Sequence, residues 1–168
     1  MKMAAHRLYL IRHGLAEERG DAWPDDTRRP LTEEGMSRLR KGARGLVRLG
    51  VTLDVVLTSP LVRARQTADI VAAAFNVRPT IAVIESLVPG GSVQAVLTDL
   101  EAHARRASIA LVGHEPGMGE LAARLTGSRR AFEFKKGAVC RIDVQELPPN
   151  QPGTLRWFMT PKMLRDLA

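Results

Sequence analysis

Four short apolar runs, at residues 8–11, 54–58, 80–84 and 108–112, alternate with longer segments of helical spacing, and no other feature restricts the fold as tightly. Runs of this length with flanking turn residues read as buried strands. The intervening segments carry start and stop signals. Thr32 can cap a helix whose apolar positions Met36, Leu39, Ala43, Leu46 and Val47 recur until Gly50. Ser59-Pro60 reads as an N-cap followed by a first-turn proline, opening a helix to about Phe75. Ser92, after the break Pro89-Gly90-Gly91, caps a segment with Val93, Val96, Leu97 and Leu100 on one face, and Pro116 opens a fourth helix that ends near Gly127. Residues 17–30 are polar and rich in Asp, Arg and Pro, as a loop would be.

The last part of the chain changes pattern. Residues 138–144 and 155–159 read as strands joined by the turn-rich 148–153, hence an antiparallel hairpin, and Pro161 starts a short closing helix. Strand–helix alternation followed by a hairpin predicts a three-layer α/β/α fold. Its central sheet would have about six strands, mostly parallel, with an antiparallel edge. The 168 residues suit one domain spanning 1–168.

Composition narrows the function classes. No apolar run approaches the roughly 18 residues of a membrane span, and the stretch between Arg7 and Arg12 is too short for a secretory core, so neither membrane insertion nor export is expected. The lone Cys140 cannot form an internal disulfide; it is expected in the core, and the chain in the cytoplasm. A net charge of +7 raises the question of nucleic acid, but the cations are scattered or in doublets and aromatics make up only 4%, which leaves no stacking platform. A basic surface favouring anionic partners is the expectation, without nucleic acid or membrane. The four histidines, His6, His13, His103 and His114, lack metal-ligand spacing, so neither a metal nor any other cofactor is expected.

Chemistry concentrates in three turns that leave the carboxyl ends of expected parallel strands: Arg12-His13-Gly14, Thr58-Ser59-Pro60 and Gly113-His114-Glu115. In such sheets ligands bind beyond those ends. Arg63, early in the second helix, leans back over the same rim. Two arginines can follow the oxygens of a phosphoryl group, a histidine can attack or carry protons, and Gly14 allows close approach to the backbone. Placement alone does not say which histidine attacks. A glycine-rich phosphate loop and a serine nucleophile elbow are both missing from the sequence.

These segments resemble the histidine phosphatase superfamily, also called phosphoglycerate mutase-like. Leu10-Ile11-Arg12-His13-Gly14 is similar to its signature, residues 58–68 from Thr58 through Arg63 to Ala68 to its second motif, and Val112-Gly113-His114 to its third. The resemblance implies a phosphoglycerate mutase-like fold and catalysis through a phosphohistidine on His13. Arg12 and Arg63 would be phosphate ligands, with Gly14 and Ser59 also at the substrate, and His114 would be the second catalytic histidine. The segments Arg29-Pro30-Leu31-Thr32-Glu33-Glu34-Gly35, Gly113-His114-Glu115-Pro116-Gly117-Met118 and Lys135-Lys136-Gly137-Ala138 are similar to the small SixA-type phosphohistidine phosphatases. The mutases' continuation of the first motif is replaced by Leu15-Ala16-Glu17-Glu18-Arg19.

A general acid is the least defined part. Larger relatives place a carboxylate near the third strand, which makes Glu85 the candidate, with Glu17, Asp21, Asp25 and Asp26 as others. A phosphohistidine needs such an acid less than a phosphomonoester does, because imidazole leaves readily. The expected substrate is a phosphorylated protein carrying phosphohistidine. Alternatives are a small phosphorylated metabolite in the same fold, or a phosphate-binding module without turnover. A monomer is favoured.

Overall fold

The computed structural model describes residues 5–168. Its single sheet has six strands: β1 (His6–Arg12), β2 (Val55–Thr58), β3 (Thr80–Val83), β4 (Ser108–Gly113), β5 (Val139–Val144) and β6 (Thr154–Met159). Their spatial order is β3-β2-β4-β1-β5-β6. The first four are mutually parallel, while β5 runs antiparallel to β1 and β6 antiparallel to β5. The expected antiparallel edge is therefore the C-terminal hairpin.

Strand periodicity assigns the helices to faces. Leu8 and Leu10 of β1 join a core with Val96, Leu97, Leu121 and Leu125, which belong to α3 (Val93–Leu100) and α4 (Gly117–Thr126). Tyr9 and Ile11 point the other way. They pack with Leu46, Ala68, Val71 and Leu164 from α1 (Glu33–Arg48), α2 (Val62–Ala73) and α5 (Pro161–Asp166). Cys140 is fully buried in the first of these cores, as expected.

Most helix signals act as the sequence predicts. The Thr32 hydroxyl accepts from the Gly35 N–H, Ser92 accepts from Ala95, and Gly127 closes α4 in the left-handed region at φ 70°. The second helix departs from expectation. It begins at Val62, with extended Leu61 as N-cap and no side-chain cap, instead of at Pro60 behind Ser59. Ser59 stays tied to the sheet, its N–H donating to the Val112 carbonyl at 3.0 Å, and its hydroxyl is occupied by the Leu61 N–H and by His114. Arg63 is thus the second residue of α2, closer to the rim than a start at Pro60 would put it.

Two glycines of α1 face α5 with opposite consequences. A Cβ on Gly45 would run into the Leu164 carbonyl oxygen, whereas one on Gly42 would sit 3.7 Å from Leu164 Cβ, an ordinary contact. Only Gly45 is demanded by packing. Gly45→Ala is expected to lose about 1–3 kcal/mol by overpacking, read as a lower urea midpoint. Gly42→Ala is expected to gain roughly 0.5–1 kcal/mol from helix propensity and reduced unfolded-state entropy.

Candidate active site

The carboxyl ends of β1, β4 and β2 lie side by side and present Arg12-His13, His114 and Ser59 to one end of the sheet. A cleft of about 440 Å³ opens there, lined by Arg12, His13, Arg63, His114, Arg29 and Lys136 among others. The His13 and His114 rings are 5.1 Å apart and tilted by 56°. His13, His114 and Arg63 are 5%, 4% and 1% exposed, so the phosphoryl-binding chemistry would take place largely out of water.

Backbone geometry fixes the state of His13. Its Nδ1 lies 2.7 Å from the Gly14 carbonyl oxygen, which can only accept, so Nδ1 carries the proton and Nε2 keeps its lone pair. Gly14 is held in turn: its N–H donates to Thr67 Oγ1 at 3.1 Å, and the Thr67 hydroxyl donates to the Arg63 carbonyl at 2.7 Å. A Cβ on Gly14 would meet Leu39 Cδ1 at 2.5 Å. A larger residue would push the Leu39 side chain of α1 aside, and Gly14 serves His13 through its backbone without lining the cleft.

His114 is positioned by Ser59. The Ser59 hydroxyl accepts from the Leu61 N–H at 3.3 Å and pairs with His114 Nε2 at 2.8 Å; when the hydroxyl donates, the ring proton of neutral His114 sits on Nδ1. Among the described residues, the buried side-chain nitrogens with no protein partner are His114 Nδ1, Arg12 Nε and Arg63 Nε. All three belong to residues that line the cleft. Unpaired buried donors in one place are the signature of an anion site.

Other guanidinium nitrogens of the pair are anchored. Arg12 Nη1 donates to the Phe134 carbonyl at 2.7 Å. Arg63 donates to the Asp26 carbonyl at 2.9 Å and to its carboxylate at 3.0 Å, and Arg29 Nε holds the other carboxylate oxygen at 2.8 Å. Asp26 sits in a short 3-10 turn, Asp26–Arg28, within the segment expected to be an unstructured loop. Arg29 also donates to the Glu17 carbonyl, tying that segment down.

Burial dominates the electrostatics. It pushes His13 down to about 3, and the neighbouring His114, Arg63 and Arg12 act in the same direction against the Gly14 hydrogen bond. His114 falls to about 4 for the same first reason, with Arg63 next. Burial also lowers Arg63, which Asp26 opposes. Asp26 is held below the usual carboxylate range, first by the Arg29 hydrogen bond.

Of the carboxylates weighed in the sequence, Glu85 is exposed in the 3-10 turn after β3 and is not among the cleft-lining residues. Asp21 and Asp25 are likewise exposed and outside the lining, while Glu17 lies on it. Glu115, also at the cleft, accepts the Gly119 and Phe134 N–H groups with its two oxygens. Among the described residues no three His, Cys, Asp or Glu cluster to hold a metal ion, and no helix is long and apolar enough to cross a membrane. Sequence reasoning did not single out Arg29, Thr67 or Lys136 individually. The arginine-rich segment before Leu31 was the available signal for Arg29, whereas Thr67 carried none.

The family model described as histidine phosphatase superfamily (branch 1) matches residues 8–86. The phosphohistidine phosphatase SixA of Escherichia coli is 32% identical over 161 residues, 95% of this chain and 96% of that protein. The chain belongs to the histidine phosphatase superfamily. An uncharacterized Picosynechococcus protein is 46% identical over 117 residues, covering 68% of this chain and 70% of its own. The solved structure of the protein histidine phosphatase SixA complexed with tungstate superimposes with a TM-score of 0.83 at 30% identity, over 93% of this chain and 97% of that one. The protein is thus a phosphatase of the SixA type with the phosphoglycerate mutase-like fold.

Both histidines should remain neutral from pH 7.5 to 5, with His13 in the Nδ1–H tautomer, by nitrogen-detected NMR of the imidazoles. Because their native pKa values are depressed, the unfolded chain takes up protons that the native one refuses as pH falls from about 6.5. Stability is therefore expected to decline as pH falls from about 6.5 to about 3, and His13→Gln should reduce that slope.

Proposed function

We propose that His13 Nε2 takes the phosphoryl group from a phosphohistidine on another protein and passes it to water. One observation carries the reading: a buried neutral imidazole, its tautomer fixed by Gly14, stands beside the unpaired Nε–H groups of Arg12 and Arg63. The lone pair needs no base to free it. Arg12 Nε, Arg63 Nε and His114 Nδ1 supply donors for the equatorial oxygens, where charge is carried during transfer.

The steps balance. The substrate's N–P bond breaks as the P–Nε2 bond of His13 forms, and the protonated phosphoimidazole of the substrate leaves as neutral imidazole. His13, now phosphorylated on Nε2 and protonated on Nδ1, carries ring charge that the Gly14 carbonyl stabilises. Water then attacks phosphorus, the P–Nε2 bond breaks, and inorganic phosphate departs with His13 neutral again.

Two acidic side chains at the site, Asp26 and Glu115, are already committed, which favours phosphohistidine over phosphomonoesters, and the cleft-lining Glu17 and Glu18 are exposed. Asp26 is committed to Arg63 and Arg29 and stays ionised, and both oxygens of Glu115 are taken by backbone N–H groups. Neither is free to protonate an alkoxide leaving group. The activity of the E. coli relative, a phosphohistidine phosphatase, and the binding of the oxyanion tungstate by SixA support the same substrate class.

His13→Ala is expected to lower turnover of both a phosphohistidine protein and p-nitrophenyl phosphate by at least about 10³-fold. Retention of wild-type turnover would remove the nucleophile from the proposal. Ser59→Ala should act through His114 and cost roughly tenfold in kcat with little change in KM, measured on the same two substrates.

A further inference from the structure

A second cavity, of about 390 Å³, opens beside the active-site cleft under α5. That size falls within the roughly 300–1,000 Å³ of ligand sites. Its floor is apolar, formed by Ile11, Leu46, Val139 and Leu164, and it shares Leu15 and Lys136 with the catalytic cleft. The two openings are therefore neighbours on one surface.

Two further observations concern what it takes. Gly42 lies in the wall, in the middle of α1, where packing would accept a Cβ 3.7 Å from Leu164. A side chain longer than alanine at this position would press against Leu164 and narrow the space between α1 and α5. The mouth is ringed by Arg38, Lys135, Lys136, Lys162 and Arg165, carried on α1, the segment before β5, and α5. Lys135, Lys136 and Arg165 make no ion pair among the described residues. Cations on several sides of an apolar opening match a polypeptide whose apolar anchor is flanked by carboxylates on both sides; a single charged headgroup would use only one of them.

The geometry points to this groove as the docking site for the phosphoprotein substrate, which inserts an apolar side chain under α5 while acidic neighbours meet the basic rim. The inference rests on the phosphohistidine-protein reading above. It adds affinity outside the phosphoryl pocket, so it acts on protein substrates and leaves small esters untouched.

The test compares wild type, Gly42→Leu, which fills the groove, and the surface double variant Lys135→Glu/Lys162→Glu. The substrates are a bacterial histidine-phosphotransfer domain phosphorylated with phosphoramidate, p-nitrophenyl phosphate and dodecyl phosphate. For the phosphoprotein, kcat/KM is expected to fall about tenfold in each variant, mainly through KM, with p-nitrophenyl phosphate turnover unchanged. The charge-reversed pair decides alone if Gly42→Leu does not fold. Equal phosphoprotein kinetics in wild type and folded variants would overturn the docking site and leave the His13 reading intact. A loss confined to dodecyl phosphate would assign the groove to an amphiphile and overturn it, as would a change in sedimentation showing that the groove joins two copies of the chain. Failure of wild type to dephosphorylate the phosphoprotein while hydrolysing p-nitrophenyl phosphate would overturn the substrate reading and the docking site with it.

Discussion

The hydrogen bond from His13 Nδ1 to the Gly14 carbonyl leaves the lone pair of the imidazole on Nε2, the atom proposed to attack, and much of the structure serves to hold it. Gly14 is pinned on one side by Leu39 of α1 and on the other by Thr67 of α2, which is itself bonded to the Arg63 carbonyl. The strand end is fixed as well: the His13 N–H donates to the Gly113 carbonyl, and the Gly137 N–H bonds to the carbonyls of Arg12 and His13. Two helices on one face, the end of β4 and the turn before β5 thus converge on a single tripeptide at the end of β1. An imidazole oriented by backbone and packing needs no partner carboxylate to select its tautomer.

Charge is arranged around that imidazole with the same economy. Arg12 and Arg63 are each held by some of their nitrogens, through the Phe134 carbonyl and through Asp26, while their Nε atoms stay unpaired. Anchoring removes conformational freedom before the ligand arrives, so less entropy is lost on binding. Asp26 has a second effect. By joining Arg63 and Arg29 it carries negative charge to the edge of a strongly basic cluster, which limits repulsion among buried cations without filling the donors that would face a phosphoryl group.

The parts of this arrangement that depend on local chemistry were legible in the sequence. Strand runs, the Thr32 and Ser92 caps, the Gly127 terminator and the C-terminal hairpin all follow from periodicity and capping, and the alternation of elements placed the three motifs on one rim. The start of α2 was misread because Ser59-Pro60 has the composition of a helix entry, whereas a tertiary bond to His114 and a ladder bond to Val112 hold Ser59 in the strand. The role of Gly14 was also hidden, since its close neighbour Leu39 lies on a distant helix. The Asp26 turn looked like mobile loop because its order derives from Arg63 and Arg29, whose contacts no local pattern encodes. Glu85 looked suitable by sequence position alone; in the structure it is exposed and outside the cleft lining.

The account turns on which atom receives the phosphoryl group. Mixing the enzyme with phosphoramidate, quenching in alkali to preserve phosphohistidine, and assigning the isomer by phosphorus–nitrogen NMR on labelled protein reads that atom directly. The arrangement predicts phosphate on Nε2 of His13. Phosphate on Nδ1 of His13, or on His114, would contradict it.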